Sequence, residues 1–289
     1  MPDPCTPRAV LITGASSGIG AACALDLDRR GWRVFAGVRR PAHGDRLRQQ
    51  ASERLQPVVF DVTDAPAVRR VAGEVAAAVG EAGLAGLVNN AGILLPGPLE
   101  LLPSARFREQ LEVNVLGTHA VTQALLPLLR AGRGRIVILG SISGKVAPPY
   151  LGAYAASKHA LEAMADALRI ELRPWNVAVS LVEPDSVATP IWDKLLAAAD
   201  DLDQQVEPEI RQIYEADLLE MRKASRRLGR SGMPVERVVA AVGHALTARR
   251  PKTRYPVGLR TRLALLGAAL LPDRLLDWFL LRFMGVRRR

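Results

Sequence analysis

Short runs of β-branched and apolar residues alternate with longer helical stretches along most of this 289-residue chain. We predict strands at residues 8–13, 33–38, 57–62, 86–90, 134–140, 176–183 and 254–257. Between them we predict helices at about residues 19–31, 65–80, 104–130, 153–173 and 234–249. Strands that alternate with helices of this length form right-handed crossovers and pair in parallel. The pattern therefore predicts an α/β fold, a doubly wound parallel sheet in a single domain.

Composition narrows the class of protein without indicating an activity. Hydrophobic residues make up 49% of the chain, which is enough for a large core. No apolar run reaches about 18 residues and the start lacks a charged region followed by an apolar one, so we expect neither a membrane span nor a signal peptide. The two cysteines and the candidate histidines lack metal-ligand spacing, which favours a reduced, cytoplasmic setting and no metal.

Three regions of the chain differ in composition. Residues 8–190 carry the alternating pattern, and residues 191–232 are helical, charged and expected to form a substrate-loop insertion over one sheet edge. Residues 250–289 hold ten lysines and arginines against two aspartates, a net charge of +8 in a chain of +10. A basic amphipathic helix there can cover a pocket or a dimer face, which we expect first, or lie on an anionic membrane surface. No module with aromatics interleaved on a basic surface occurs, so we expect no nucleic-acid partner.

A glycine-rich loop, TGASSGIG from Thr13 to Gly20, joins the first predicted strand to the first predicted helix. Its three glycines allow a tight turn, close approach of the backbone to a phosphate, and close packing of the helix. The helix N-terminus then offers free N–H groups and a favourable dipole to an anion. The loop predicts a Rossmann-like dinucleotide site, although its G-x-x-x-G-x-G spacing differs from G-x-G-x-x-G.

The end of the second predicted strand indicates which dinucleotide binds. An acidic residue there would hydrogen-bond the ribose hydroxyls of NAD(H). This chain instead has Val38 followed by Arg39 and Arg40, and a guanidinium matches a 2′-phosphate through paired hydrogen bonds. We therefore predict NADP(H) in preference to NAD(H).

Tyr154 and Lys158 are four residues apart in the predicted helix 153–173, so they lie on the same face. A free phenol has a pKa near ~10, which is too high for an efficient base near neutrality. A cation beside the phenol favours phenolate and lowers that pKa. We interpret the two side chains as a tuned acid–base pair.

Six motifs occur together in one order and spacing. They are TGASSGIG (13–20), DV (61–62), NNAG (89–92), Asn114 in LEVNVLG, Ser141 in LGSISG, and YAASK (154–158). In these motifs the chain resembles the short-chain dehydrogenase/reductase family over about residues 8–190. The stretches RVFAGV and SLVEP and the C-terminal segment look like the branch that includes retinol and hydroxysteroid dehydrogenases.

The resemblance implies a catalytic set. Asn114 would bend its helix and hold a water beside Lys158, while Ser141 would hydrogen-bond the substrate carbonyl. Tyr154 would donate or accept the proton, and Lys158 would bind the nicotinamide ribose and lower the phenol pKa. Ser143 is the alternative to Ser141 and is expected on the substrate side.

The resemblance also implies a set of cofactor contacts. Asp61 would bond the adenine amine with Val62 behind the ring. Asn89 and the NAG turn after it would shape the wall beside the adenosine ribose and steady the central sheet. The full expected set is Thr13, Gly14, Ser16, Ser17, Gly18, Ile19, Gly20, Arg39, Arg40, Asp61, Val62, Asn89, Ala91, Gly92, Tyr154, Lys158, Pro184, Val187 and Thr189.

Asp185 departs from the resemblance, because it stands where the family usually has a glycine after a proline. A glycine permits a strained backbone at that point, and aspartate tolerates a positive φ better than most residues. The substrate wall should come from later segments rich in apolar residues, with Tyr150 and Trp192 beside Ser141 and Ser143. An apolar pocket fits a hydrophobic alcohol or ketone.

These observations predict an NADP(H)-dependent oxidoreductase that interconverts an alcohol and a ketone or aldehyde on a steroid-, retinoid- or polyketide-like substrate. The alternatives are an NAD(H)-preferring alcohol dehydrogenase of the same family and a sensor or scaffold that binds NADP(H) without turnover. The family's contact through the helix that carries YAASK predicts a homodimer or homotetramer. We expect a cytoplasmic protein, with membrane association as the alternative.

Overall fold

Seven parallel strands form the central sheet of the protein, seen in a computed structural model that describes residues 8–284. The strand order is β3-β2-β1-β4-β5-β6-β7, and each neighbouring pair is parallel. The strands are β1 (Ala9–Ile12), β2 (Arg33–Val38), β3 (Leu55–Val59), β4 (Gly86–Asn89), β5 (Arg135–Leu139), β6 (Ala178–Pro184) and β7 (Arg254–Val257). The predicted Rossmann-like, doubly wound sheet in a single domain is confirmed.

Helices cover both faces of the sheet. They are α1 (Gly18–Arg29), α2 (Pro41–Arg48), α3 (Ala65–Val79), α4 (Ser104–Leu111), α5 (Gly117–Ala131), α6 (Gly152–Glu171), α7 (Ile191–Gln205), α8 (Pro208–Arg230), α9 (Val235–Thr247), α10 (Leu259–Leu270) and α11 (Asp273–Met284). Helices α1 and α9 pack on the face that carries Val10 and Ile12, and α3, α5 and α6 pack on the face that carries Leu11. Both faces of β1 are therefore buried, as its unbroken apolar sequence requires.

The structure differs from the sequence-based expectations at three elements. The third strand is Leu55–Val59, not 57–62, so the residues after Val59 form the loop that leads to Asp61. The expected helix at 104–130 is interrupted by a π-helical turn at Glu112–Leu116. The additional helix α2 follows β2 and begins with Pro41 at its first position, which suits proline because that position needs no N–H donor.

The direction in which successive strands are added to the sheet reverses between β1 and β4, which are neighbours at its centre. Chain order runs outward from β1 to β3 on one side and from β4 to β7 on the other. At such a switch point the loops after the two strands separate and leave a crevice at their carboxyl ends. The loops that follow β1, β4, β5 and β6 all meet at this edge and carry the residues described below.

The insertion and the C-terminal extension lie over this edge. Helices α7 and α8 pack against each other, α10 contacts β7 and the turn Ile142–Gly144, and α11 contacts α8. In its described part the predicted extension consists of β7, α10 and α11, and its last basic residues, 287–289, lie outside the described residues. Within residues 8–284, no helix is long and apolar enough to span a bilayer.

Candidate active site

The glycine loop turns sharply between β1 and α1. Gly14 and Gly18 have φ of +66° and +58°, a region that L-residues avoid. A Cβ on Gly20 would lie 2.4 Å from Asn90 Nδ2 and 2.4 Å from the carbonyl oxygen of Gly14. The loop therefore requires glycine for its turns and for close packing. Because α1 begins at Gly18, its unpaired first N–H groups lie at the loop, and this cradle suits a pyrophosphate.

Thr13 and Asn90 hold this loop against the end of β4. Thr13 Oγ1 accepts hydrogen bonds from the backbone N–H groups of Asn90 and Ala91, both at 2.9 Å. Asn90 Nδ2 donates to the carbonyl oxygens of Thr13 and Gly14 at 2.9 and 3.0 Å. Thr13 is buried and does not line the crevice, so its expected cofactor contact is replaced by a supporting role.

The two expected roles of Asn89 and the turn after it fall on different residues. Asn89 is buried and donates to Thr122 Oγ1 of α5 at 2.8 Å, so it braces the sheet behind the crevice. Asn90 lines the crevice and was not among the expected contacts. Two adjacent asparagines in the sequence do not indicate which of them lines the crevice.

A first cavity of about 280 Å³ lies along the glycine loop and the ends of β2 and β3. It brings together most of the expected cofactor residues. Those that line it are Gly14, Ser16, Ser17, Gly18, Ile19, Arg39, Asp61, Val62, Ala91, Gly92 and Thr189. Gly20 lies behind this wall, against Asn90.

Arg39 and Arg40 have different surroundings. Both are exposed, but Arg39 lines the first cavity, whereas Arg40 precedes α2 and lies outside the lining. Asp61 also lines the cavity, and one carboxylate oxygen accepts from the backbone N–H and the hydroxyl of Thr63 at 3.0 and 2.8 Å. Of the two arginines expected to contact a 2′-phosphate, only Arg39 lines this cavity in the structure.

Ser141, Tyr154 and Lys158 meet in a second cavity of about 230 Å³ that adjoins the first. Ser141 follows β5, and its Oγ accepts from the backbone N–H of Ser143 at 3.1 Å. Lys158 is buried, and its Nζ donates to the carbonyl oxygen of Leu139 at 2.7 Å. The backbone at the end of β5 therefore fixes both the hydroxyl and the ammonium.

Burial governs the proton affinities of the pair. Burial raises the pKa of Tyr154, and the hydrogen bond with Ser141 lowers it by less. Burial lowers the pKa of Lys158 to about 8, because the charged ammonium loses hydration. Burial is therefore the larger of the two effects on the phenol pKa, and the implied lowering of that pKa by Lys158 stays a prediction.

Asn114 lies at the centre of the π-helical turn. Its Oδ1 accepts from the N–H of Ile93 at 2.8 Å, and its Nδ2 donates to the carbonyl of Ile93 and to Ser157 Oγ, both at 3.0 Å. The bend expected at Asn114 is present. Its side chain ties the loop after β4 to α6 through the residue that precedes Lys158.

The walls of the second cavity are mostly apolar and come from four parts of the fold. The lining includes Ile93, Leu94, Ser143, Val146, Pro184, Asp185, Val187, Thr189, Trp192, Met221, Leu228 and Leu280. Trp192 Nε1 donates to the carbonyl of Val187 at 2.9 Å, which fixes the indole in the wall. Leu280 belongs to α11, so the C-terminal extension closes part of this cavity.

Two substrate-side expectations change. Tyr150 has φ of +65° and packs against the cluster of Ala199, Leu218 and Met221, outside the cavity lining. Asp185 lines the second cavity without a left-handed backbone, so aspartate is accommodated there without that strain. Met221 lies in the insertion that was expected to form part of the substrate wall, and Leu280 lies in the C-terminal extension that was expected to cover a pocket, although neither residue was singled out from the sequence.

Comparison with known proteins places the chain in a family. The family model described as short chain dehydrogenase matches residues 8–200. Retinol dehydrogenase 5 of Mus musculus is 40% identical over 280 residues, which cover 95% of this chain and 88% of the relative. The NADPH-dependent 3-dehydrocapnine reductase of Ornithobacterium rhinotracheale is 36% identical and covers 93% of this chain and 95% of its own.

A solved structure gives the same result for the fold. A short chain dehydrogenase/reductase from Burkholderia phymatum in complex with NAD has a TM-score of 0.76 and 25% identity, covering 94% of this chain and 95% of its own. These similarities support a nicotinamide cofactor. They do not give the preference between NADP(H) and NAD(H), because the Ornithobacterium relative is NADPH-dependent and the Burkholderia structure is in complex with NAD. The chain belongs to the short-chain dehydrogenase/reductase family of oxidoreductases.

Proposed function

We propose that the protein is an NADP(H)-dependent oxidoreductase that interconverts an alcohol and a ketone or aldehyde on a lipophilic, steroid-, retinoid- or polyketide-like substrate. The observation that carries the proposal is the placement of Ser141, Tyr154 and Lys158 in an apolar cavity that adjoins the glycine-loop cavity. Ile19, Asn90 and Thr189 line both cavities. A cofactor in the first could therefore present its nicotinamide to a substrate in the second.

Ser141, Tyr154 and Lys158 each have a separate role in carbonyl reduction. A nicotinamide held in the adjoining cavity would supply a hydride to the carbonyl carbon. Ser141 donates a hydrogen bond to the carbonyl oxygen, and Tyr154 gives that oxygen its proton, so a ketone becomes a secondary alcohol. Lys158 holds the nicotinamide ribose, and it returns a proton to Tyr154 through the water that Asn114 is expected to hold. Alcohol oxidation uses the same groups in reverse.

The preference for NADP(H) is supported by Arg39. It lines the first cavity beside Val38, and no carboxylate occupies that strand end. A guanidinium there would neutralise a 2′-phosphate and form paired hydrogen bonds with it. An enzyme that prefers NAD(H) would instead need an acidic side chain at this strand end to accept a hydrogen bond from the free 2′-hydroxyl.

The proposed function is tested by steady-state cofactor turnover on a panel of lipophilic ketones, aldehydes and alcohols. We expect NADPH oxidation with at least one ketone or aldehyde and weaker turnover with NADH. The second candidate is a sensor or scaffold, favoured only by the unusual Asp185 beside the cofactor. Tight NADPH binding without turnover of any carbonyl would favour that candidate.

We also propose a cytoplasmic homodimer or homotetramer whose C-terminal extension contacts an anionic membrane surface. Leu259, Leu263, Leu266 and Leu270 follow one another at spacings of four, three and four along α10, so they form one face. Each is more than half exposed, and we name these four residues the α10 stripe. Arg260 and Arg262 are exposed beside it.

Helix α11 extends this apolar surface to the cavity. Trp278 and Phe279 are about half exposed and pack edge to face at 4.9 Å, whereas Leu280 lines the second cavity. Exposed apolar and aromatic residues interspersed with arginines suit the interface of an anionic bilayer. A membrane contact here would put a lipophilic substrate next to the helix that closes its cavity.

A further inference from the structure

Two buried carboxyl groups that interact electrostatically lie behind the active site, on α6 and β6, which pack against each other. Glu183 near the end of β6 is fully buried, and Glu162 of α6 is 4% exposed. Neither oxygen of Glu183, nor Oε1 of Glu162, has a hydrogen-bond donor among the described residues. Unpaired buried carboxylate oxygens are costly, and two ionised carboxylates side by side are costlier still. One proton shared between the two groups removes both penalties.

Among the described residues, positively charged side chains form hydrogen bonds or ion pairs with Glu162 but not with Glu183. Oε2 of Glu162 accepts from Arg254 Nη2 at 2.8 Å and from Lys145 Nζ at 3.1 Å. Arg254 of β7 also binds Asp166 on the next turn of α6 at 2.8 Å. Two cations therefore contact Glu162, whereas Glu183 has no hydrogen-bond donor among the described residues, so we place the shared proton on Glu183.

The pair joins three segments that carry the active site. Glu162 is one helical turn after Lys158, and a Cβ on Gly144 would lie 3.0 Å from Glu162 Cγ, so Glu162 underlies the turn after Ser141. Lys145 ends the same turn. Glu183 directly precedes Pro184, which lines the second cavity. The pair therefore lies where the serine turn, α6 and the end of β6 meet.

We propose that Glu162 and Glu183 share a proton and act as positioning residues that hold the Ser141 turn against α6 and β6. The inference rests on the proposed function for its effect on turnover, but not for its effect on stability. Loss of the shared proton places a second negative charge in the buried site, and the repulsion moves the turn that carries Ser141. The hydride transfer geometry then deteriorates while the glycine-loop cavity is unchanged.

The pH at which Glu183 loses the shared proton is set by its burial and by the charges around it. Burial, and then the adjacent Glu162 charge, raise the pKa of Glu183 to about 7 from its ordinary value near 4.5, while Arg254 and Lys145 oppose the shift. The folded protein therefore holds more protons than the unfolded chain between these two values. The free energy of unfolding accordingly falls as pH rises through this window, and the loss is complete above pH 7.

The test compares Glu183→Gln with the wild-type protein and with Glu171→Gln, an exposed change of the same type on α6. The amide of Glu183→Gln donates to Glu162 at every pH. We expect the free energy of unfolding of wild type and Glu171→Gln to fall between about pH 5 and pH 8, and that of Glu183→Gln to stay flat. The same slope in all three proteins would overturn the proposal.

Turnover and hydrogen exchange test the positioning role. We expect kcat of wild type to fall as pH rises past 7, the alkaline limb of Glu183→Gln to move by about one pH unit or more, and KM for NADPH to stay constant. Amide exchange of residues 141–146 should accelerate with pH in wild type only, after correction for intrinsic rates. Equal exchange in both would contradict the role, whether or not turnover is found.

A second variant keeps the test decisive if Glu183→Gln does not fold. Glu162→Gln removes the neighbouring negative charge, which is the second cause of the raised pKa of Glu183 after burial. We therefore expect the fall in the free energy of unfolding between about pH 5 and pH 8 to become smaller. If Glu162→Gln retains the wild-type slope between about pH 5 and pH 8, the groups do not share a proton and the proposal fails.

Discussion

Lys158 Nζ lies 5.6 Å from the centre of the Tyr154 ring and donates a hydrogen bond to the carbonyl oxygen of Leu139 at 2.7 Å, not to the phenol. The ammonium is thus anchored to β5 beside the ring. This position leaves it available for a ribose hydroxyl and for a proton relay, while the phenol hydroxyl bonds Ser141.

Removal of this ammonium should impair both cofactor binding and proton transfer. For Lys158→Met we expect kcat/KM to fall at least about 100-fold, because a relay and a ribose contact are lost together. Lys223→Met, an exposed change on α8, serves as the matched control and should leave kcat/KM unchanged. A Lys158→Met protein with normal kcat/KM would exclude the assigned role.

The cofactor preference depends on Arg39. For Arg39→Ala we expect the Kd for NADPH to rise about 10-fold or more while the Kd for NADH stays constant, because only NADPH carries the 2′-phosphate. Arg48→Ala, an exposed change on α2, is the control and should affect neither. Equal losses for both cofactors, or tighter binding of NADH by wild type, would count against NADP(H).

The cradle of the glycine loop is sterically closed at Gly20. For Gly20→Ala we expect loss of cofactor binding and a lower free energy of unfolding, because the new Cβ would lie 2.4 Å from backbone and amide atoms. Gly73→Ala is the control, since a Cβ there meets nothing within 4 Å. It should stabilise α3 by roughly 0.5–1 kcal/mol. Cofactor titration and denaturant unfolding of both variants measure these effects, and full NADPH binding by Gly20→Ala would be inconsistent with the described loop.

The α10 stripe offers a direct test of membrane contact. We expect wild-type protein to sediment with vesicles of phosphatidylcholine and phosphatidylserine, less with phosphatidylcholine alone, and less at high salt. The double change Leu263→Lys and Leu266→Lys should reduce sedimentation even though it adds positive charge. Leu219→Lys, an exposed site on α8, is the control.

Two results would reject this membrane contact. One is equal sedimentation of the stripe variant and wild type. The other is a stripe variant that changes from oligomer to monomer without lipid, which would assign the α10 stripe to an interface between copies.

Sequence reasoning predicted the parts of this fold that depend on local pattern. The buried run at Ala9–Ile12 and the glycines after it define a strand, a turn and a helix start within a few residues. Ser141, Tyr154 and Lys158 belong to local motifs and meet because parallel strands end at one edge of the sheet.

Features that depend on distant segments could not be predicted. Whether Asn89 or Asn90 faces the crevice is set by register against Thr122 and the glycine loop. A pocket-covering role of the C-terminal extension could be expected, but the choice of Leu280 depends on the packing of α11 on α8. Glu183 approaches Glu162 only because β6 and α6 pack together. The phenol pKa also depends on burial by the whole fold, which spacing along a helix does not reveal.

The most direct test of the account is NADPH turnover by Tyr154→Phe, measured together with NADPH binding. We expect wild type to oxidise NADPH with a lipophilic ketone or aldehyde. The variant, which loses only the phenol hydroxyl, should bind NADPH within about twofold of wild type and lose at least about 100-fold in kcat. A variant that turns over as fast as wild type, or a wild-type protein that binds NADPH and reduces no carbonyl, would contradict the account.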